Sequence, residues 1–426
     1  MQEEQEEMIK TGKPEKRRPS GFKNGVIIGL VLGLLITGIS AGVGIRAYAN
    51  LTNNYVIFGP QGVKQTAKDN VLDQAAIKKV DELLSYIDLY YNDSYKEKDI
   101  RNAIYKGTLS GLGDPYSVYY TVDEYKDLQT STNGNYYGIG AALSQNAKTM
   151  EVTVVKVYEG TPAEEAGLKN GDEILSVDKY EATSMELSNL VKKIRGKEGT
   201  KVHLKVYRSQ TGENLEFDVE RKNVDIPSVD SKMLSDGIGY IQISEFQSNT
   251  AKQFKKALAA LEKEDMKGLI VDVRSNPGGL VTSVVDILDQ ILPEGTVVYT
   301  EDKYGKKETY TSDASCIHYP MAVLVNGDSA SASEIFAGAI KDYDYGTKTF
   351  GKGIVQTVFP LENGDAIKIT TAKYYTPKGH YIHGKGIQPD IKLEYKYSGP
   401  EDESYDMKYD NQLQKAISVV KEKIKG

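Results

Sequence analysis

The segment from Met321 to Glu334 constrains this chain more than any other. Met321–Val325 is a short apolar run that reads as a buried strand. Gly327-Asp328-Ser329-Ala330-Ser331-Ala332-Ser333-Glu334 follows, then Ile335-Phe336-Ala337-Gly338-Ala339-Ile340, which reads as a helix. A strand turning abruptly into a helix is the unit of α/β folds. A hydroxyl residue on such a turn presents its oxygen in the open, and the helix start leaves backbone N–H groups free for an anion. Downstream, Phe350-Gly351-Lys352-Gly353-Ile354-Val355-Gln356 sets one lysine between two glycines. Together these segments suggest a serine nucleophile with a lysine base.

The same unit recurs around the turn. Gly239–Ile243, Gly268–Val273 and 321–325 read as strands, and 250–262, 279–292 and 332–342 as helices. Asp272-Val273-Arg274-Ser275-Asn276-Pro277-Gly278-Gly279 ends the second strand with glycines, a geometry that offers N–H donors to an oxyanion. A last amphipathic helix is expected over 411–424, with Leu413, Ile417, Val420 and Ile424 on one face.

With 426 residues the chain has room for two or three domains. A net charge of −7 argues against nucleic acid as the main partner. One cysteine, Cys316, excludes an intrachain disulfide and a multi-Cys metal site, and His203, His318, His380 and His383 form no close-spaced ligand motif. Residues 25–45 are 21 uncharged, largely apolar positions. As a helix they reach roughly 31 Å, about the thickness of a bilayer core. Lys10, Lys13, Lys16, Arg17, Arg18 and Lys23 precede this run, and Arg46 follows it. The bias predicts a single transmembrane anchor, with 1–24 cytoplasmic and the rest beyond the cell membrane. Ala47-Tyr48-Ala49 resembles a signal-peptide cleavage site, but the run is long for a cleaved signal.

Residues 46–70 read as a linker and 71–134 as a helical region. In that region Ile77, Val80, Leu84 and Ile87 share one helix face, Ile100, Ile104 and Leu109 point inward from a second, and Thr121-x-x-Glu124 marks a capping box. The region shows no chemistry of its own and reads as a packing or dimerisation element.

Residues 135–222 have another character. Tyr137-Gly138-Ile139-Gly140-Ala141-Ala142-Leu143 is a glycine-rich turn entering a strand. Thr161-Pro162-Ala163-Glu164-Glu165-Ala166-Gly167-Leu168 is a short helix, and Gly171-Asp172-Glu173-Ile174 leads into a further strand. This order resembles a PDZ domain of the bacterial protease type, β-rich with two helices. The resemblance implies that the turn at Gly138, Ile139 and Gly140 binds a peptide's terminal carboxylate.

Taken jointly, Asp114-Pro115-Tyr116-Ser117, the PDZ unit, Asn276-Pro277-Gly278-Gly279, both catalytic stretches, Tyr374-Tyr375-Thr376-Pro377 and Gly384-Lys385-Gly386-Ile387-Gln388-Pro389-Asp390 resemble the C-terminal processing peptidases, the tail-specific serine proteases. That resemblance implies Ser331 as nucleophile, Lys352 as general base and Gln356 as its orienter. It implies backbone N–H groups of Gly278 and Ala332 as oxyanion donors, and no cofactor or metal. The fold class expected is multidomain α/β: a transmembrane helix, the helical region, a PDZ domain, an α/β Ser–Lys protease core over 223–398 and a C-terminal helix over 399–426. The partners expected are protein substrates held by their C-terminal tails, the lipid bilayer and a second copy in a homodimer.

One departure stands out. Ser331 and Lys352 are 21 residues apart, closer than the resemblance implies. The apolar strand expected between them is missing, and Asp342-Tyr343-Asp344-Tyr345 leads directly to Gly346. The shortening leaves a second reading, a catalytically inactive PDZ adaptor binding protein C-termini at the cell surface. A third, an enzyme of the acyl-CoA hydratase type, is opposed by the PDZ unit and the Ser–Lys pair.

Overall fold

The structure is a computed structural model, and it describes residues 71–342, 349–400 and 405–425. The expected membrane span and the shortened segment after Asp342 lie outside these residues. Among them no helix is long and apolar enough to cross a membrane.

Helices α1 (Gln74–Tyr90) and α2 (Glu97–Ser110) open the chain. Asp73 caps α1 by accepting the N–H of Ala76 at 2.7 Å. Neither helix has a buried residue, and Ile77 and Ile104 are exposed where the periodicity predicts inward faces. Strand β1 (Val118–Tyr120) and helix α3 (Val122–Asn133) follow. The capping box at Thr121 and Glu124 forms as the spacing predicts. Gly134 ends α3 in the left-handed conformation.

Next come β2 (Asn135–Gly138), β3 (Ala141–Gln145), β4 (Val152–Val157), α4 (Pro162–Glu165), β5 (Asp172–Val177), β6 (Tyr180–Glu181), α5 (Leu187–Ile194), β7 (Lys201–Arg208), β8 (Glu213–Glu220) and β9 (Lys222–Asp225). Strands β3-β4-β5-β7-β8 form one sheet in that order, with β6 on β5. Its inner face and α5 enclose Val152, Val154, Ile174, Leu190 and Leu204, all essentially inaccessible to water. Arg221 closes the C-terminus of α5, donating to the carbonyls of Lys193 and Ile194 at 2.9 and 2.7 Å. Strands β2 and β9 pair antiparallel, so the chain enters and leaves this unit along one ribbon.

The remainder holds β10 (Val229–Met233), β11 (Ile238–Ile243), α6 (Thr250–Lys263), β12 (Gly268–Asp272), α7 (Val281–Asp289), β13 (Gly295–Asp302), β14 (Lys307–Ser312), β15 (Met321–Leu324), α8 (Ala332–Asp342), β16 (Ile354–Pro360), β17 (Ala366–Tyr375) and α9 (Asn411–Lys425). Strands β10-β11-β12-β15 form a sheet in which β11, β12 and β15 run parallel. Leu269, Val271 and Val323 belong to a core shared with α6, α7 and α8, while Ile238, Ile270 and Leu324 meet α9 in another cluster. Coverage on both faces is why these strands read as continuous apolar runs. Each large apolar side chain fully buried there contributes about 1.5–3 kcal/mol.

A second sheet, β1-β17-β13-β14 with β16 on β17, is antiparallel. Its pairing of β1 with β17 packs the 71–134 region onto the protease sheet. Val118 stands opposite Lys368, and the Tyr119 hydroxyl donates to Asp365 at 2.5 Å. The helical region thus contributes an edge strand to the sheet that holds the two strands after Lys352.

Candidate active site

The site is built where two turns of the parallel sheet meet. Ser331 precedes α8 with φ +56, a left-handed conformation that is uncommon for a residue with a side chain. The backbone is fixed there by its neighbours. The Ser329 hydroxyl donates to the Val273 carbonyl at 2.8 Å and the Ser333 hydroxyl to the Asn276 carbonyl at 2.9 Å. Both are fully buried, so these outer serines are structural, as their turn and cap positions predict. Among the described residues the Ser331 hydroxyl makes no hydrogen bond.

Gly278 lies directly against this turn. A Cβ placed on it would stand 2.7 Å from the Ser331 Cβ and 2.9 Å from the Ala332 nitrogen. Its φ of +108 is a second reason that only glycine fits. The turn that carries Gly278 and the one that carries Ser331 and Ala332 are thus in direct contact. The expected oxyanion donors differ in their bonding, however. The Gly278 N–H donates to Asn276 Oδ1 at 2.8 Å, whereas the Ala332 N–H meets no acceptor among the described residues.

Glu334 and Tyr374 draw the lysine segment to the serine. Glu334 is completely buried on the first turn of α8. Its carboxylate accepts the N–H of Ser331 at 3.0 Å and that of Lys352 at 2.6 Å, together with the Gly351 N–H and the Thr349 hydroxyl. The buried Tyr374 hydroxyl donates to the carbonyls of Ser331, at 3.1 Å, and Lys352. Two side chains thus clamp both main chains, while among the described residues no hydrogen bond joins the Lys352 amine to the Ser331 hydroxyl. The glycines around Lys352 have a packing cause. A Cβ on Gly351 would reach 3.0 Å from the Gly386 nitrogen, and one on Gly353 2.6 Å from the His383 nitrogen. Thr349 also accepts the N–H of Ile387 at 2.8 Å, which places Gly384-Lys385-Gly386-Ile387 behind the lysine loop.

The Lys352 amine is half-buried and lies over the Tyr116 ring, 4.5 Å from its centroid. Burial, then the like charge of Lys368, push its pKa down to about 8 against the opposing pull of Glu334 and Asp114. A neutral amine is therefore accessible near physiological pH. Gln356, on β16, donates to Thr370 Oγ1 at 3.2 Å and the Ile354 carbonyl at 3.4 Å. Thr370 in turn donates to Asp114 at 2.6 Å.

In the first sheet unit, Gly138 ends β2 and Gly140 takes φ +84, pressed against Thr161. The Ile139 side chain is only 2% exposed and belongs to the core, so of this residue only the backbone is open to a ligand's carboxylate. The backbone of Gly140 hydrogen-bonds Tyr136, whose pKa burial raises.

The sequence reading missed Glu334, Tyr374, Asn276 and Tyr116 as parts of the site. Ser331-x-x-Glu334 carries the spacing of a capping box, the signal that could have singled out Glu334. A cavity of about 750 Å³ between β15 and α9 contains none of these groups, so it is chemistry rather than cavity size that locates the site.

A left-handed serine at a helix start, its main chain tied to that of a lysine with a lowered pKa, is compatible with a serine-type hydrolase. Residues 237–393 match the model of peptidase family S41, and residues 137–220 that of the PDZ domain. The chain is 38% identical over 345 residues to the carboxy-terminal processing protease CtpB of Bacillus subtilis (strain 168), covering 78% of this chain and 70% of that protein. It is 35% identical over 332 residues to the carboxyl-terminal-processing protease of Synechocystis sp., covering 73% and 78%. Among solved structures, the photosystem II D1 C-terminal processing protease is 28% identical, with 75% of this chain and 87% of that one covered and a TM-score of 0.42. This chain belongs to the carboxy-terminal processing serine proteases of family S41, with a PDZ domain ahead of an α/β protease domain.

Proposed function

We propose that this protease is a membrane-anchored endopeptidase that works by Ser–Lys catalysis on substrates held by their C-terminal tails. The observation that carries the catalytic part is the clamp. Glu334 and Tyr374 each bond the main chains of both Ser331 and Lys352, and the lysine so held has its pKa near 8.

The Ser331 oxygen attacks the scissile carbonyl carbon, and its proton passes to the neutral Lys352 amine. The tetrahedral oxyanion is held by the N–H groups of Ala332 and of Gly278, the latter released from Asn276. Lys352 then protonates the leaving amine as the C–N bond breaks. A water deprotonated by Lys352 hydrolyses the acyl-enzyme and regenerates Ser331. Gln356 orients the base through Thr370 and the β16–β17 pair.

Tail capture is supported by the free edge of β3, which pairs only with β4 among the described residues and packs beside α5. The turn at Gly138, Ile139 and Gly140 stands at the start of that strand and supplies the N–H donors for the carboxylate. Anchoring rests on the apolar run 25–45 and the basic residues before it. It puts 1–24 in the cytoplasm and the PDZ and protease domains outside. A homodimer is supported by α1, which carries Leu83, Tyr86 and Leu89 in the open. The inactive-adaptor reading draws no support from the relatives, which are proteases.

The decisive experiment is labelling of the full chain by a serine-reactive fluorophosphonate, with site mapping by mass spectrometry. The expected result is one adduct on Ser331, lost in Ser331→Ala and in Lys352→Ala. An adduct elsewhere, or undiminished labelling of Lys352→Ala, would overturn the Ser–Lys assignment.

A further inference from the structure

The turn at Asp114-Pro115-Tyr116-Ser117 belongs to the helical region, yet it reaches the lysine. Tyr116 turns its ring face to the Lys352 amine at 4.5 Å from the centroid. Asp114 accepts the hydroxyls of Ser117 and Thr370 at 2.6 Å each and the N–H of Tyr116 at 3.0 Å. Ser117, itself buried, accepts the N–H of Thr370 at 3.1 Å. Thr370 also accepts from Gln356. One carboxylate thus holds the backbone of the residue whose ring covers the amine and the threonine that accepts from Gln356.

We propose that Asp114 and Tyr116 are positioning residues for the Lys352 amine, so that the turn before β1 forms a wall of the catalytic site. The inference rests on the reading of Lys352 as general base. An ammonium is attracted to an aromatic face, and the ring also keeps water from one side of the amine. The ring therefore bounds the space open to the amine on one side. Such confinement matters because displacement of a reacting group by about 1 Å costs about a hundredfold in rate. The charged groups that face the amine come from three elements: Lys368 on β17, Glu334 on α8 and Asp114 on the turn. Asp114 is held ionised. Burial opposes its charge, but the bonds from Ser117 and Thr370 outweigh it and keep its pKa below the usual carboxylate value.

Two measurements on the full chain test this. The first is the titration of Lys352 in the Ser331→Ala background, followed by NMR after reductive methylation with ¹³C-formaldehyde. The Lys352 signal is the one absent from Lys352→Arg. The expected midpoint is near 8, moving to lower pH in Asp114→Asn, because removal of a nearby anion disfavours the ammonium. A midpoint at the ordinary lysine value, about 10.4, overturns the base reading itself. A lowered midpoint that stays in place in Asp114→Asn overturns this inference alone.

The second measurement is steady-state kinetics. Tyr116 is only partly buried, so its replacement leaves the fold intact. Tyr116→Leu is expected to lower kcat at least about tenfold with KM changed by less than about twofold, and Tyr116→Phe to rescue most of that loss by restoring the ring face. Equal kcat in Tyr116→Leu and the parent, or a Phe variant as impaired as Leu, overturns the positioning role.

Discussion

The Glu334 carboxylate accepts the N–H of Ser331 at 3.0 Å, but the Ser331 hydroxyl does not return the bond. At Thr121 and Glu124 the same spacing gives a complete capping box, with the Thr121 hydroxyl accepting the Glu124 N–H. The difference is in the backbone. Thr121 has φ −62, whereas Ser331 has φ +56, and the Ser331 carbonyl takes the Glu334 N–H instead. Half of a helix cap has been given up, and the hydroxyl released by it is the one proposed above as the nucleophile.

Ser331→Ala is expected to abolish peptide cleavage without lowering the thermal midpoint. Ser329→Ala and Ser333→Ala remove buried hydrogen bonds and should lose about 1–3 kcal/mol of stability each while keeping measurable turnover. Denaturant unfolding and a fluorogenic peptide assay read the two effects. A dead Ser329→Ala beside an active Ser331→Ala would reverse the assignment.

Lys352→Arg should be as inactive as Lys352→Ala, since a guanidinium does not release its proton. In the parent, kcat/KM should rise with pH and level off above about 8. The same lysine makes a stability prediction. Its folded pKa lies below the ordinary 10.5, so the unfolded chain binds more protons between these values and stability rises with pH across that window. Lys352→Met should therefore be more stable than the parent at pH 7 by about 1–2 kcal/mol, after allowance for solvent screening. The gain should fade towards pH 10.5, and urea unfolding at the two pH values checks it.

Gly278→Ala has neither the conformation nor the space for its methyl group. It is expected to cost about 1–3 kcal/mol in stability and to remove detectable activity. A variant with normal kcat would show that the close approach of this turn to Ser331 is unnecessary.

Tail capture predicts that C-terminal amidation weakens peptide binding to the Ser331→Ala chain, because the amide lacks the charge the glycine turn receives. Tyr136→Phe removes the hydroxyl that engages Gly140 and should tighten binding of the free acid. Isothermal titration of one apolar peptide in both forms is the measurement. Equal affinity for acid and amide would leave the turn as a structural loop.

Much of this architecture is legible in the sequence because buried parallel strands and glycine turns write strong local signals. The runs at 268–273 and 321–325, the capping box at Thr121 and the amphipathic helix at the C-terminus are of this kind. What escaped is held by contacts between distant residues. Strands β13, β14, β16 and β17 alternate weakly, with Thr, Lys and Tyr on partly exposed faces, and only pairing defines them. Glu334 looks like an ordinary first-turn acid until its four donors are counted, one from the serine turn and three from the loop at 349–352. Tyr116 looks like a turn residue until β1 carries it to Lys352.

The pairing of β1 with β17 also sets a clock. Val118 must wait for Lys368, which lies 250 positions later in the chain. At about 5–20 residues per second, a ribosome takes roughly 12–50 s to supply the missing partner. Through most of that interval Asp114 and Tyr116 have nothing to close upon, because Lys352 and Gln356 have not yet been made. A chain still emerging thus carries a finished PDZ fold well before it carries a blade. On the proposed mechanism, the newborn protease cannot cut until nearly its last sheet is in place.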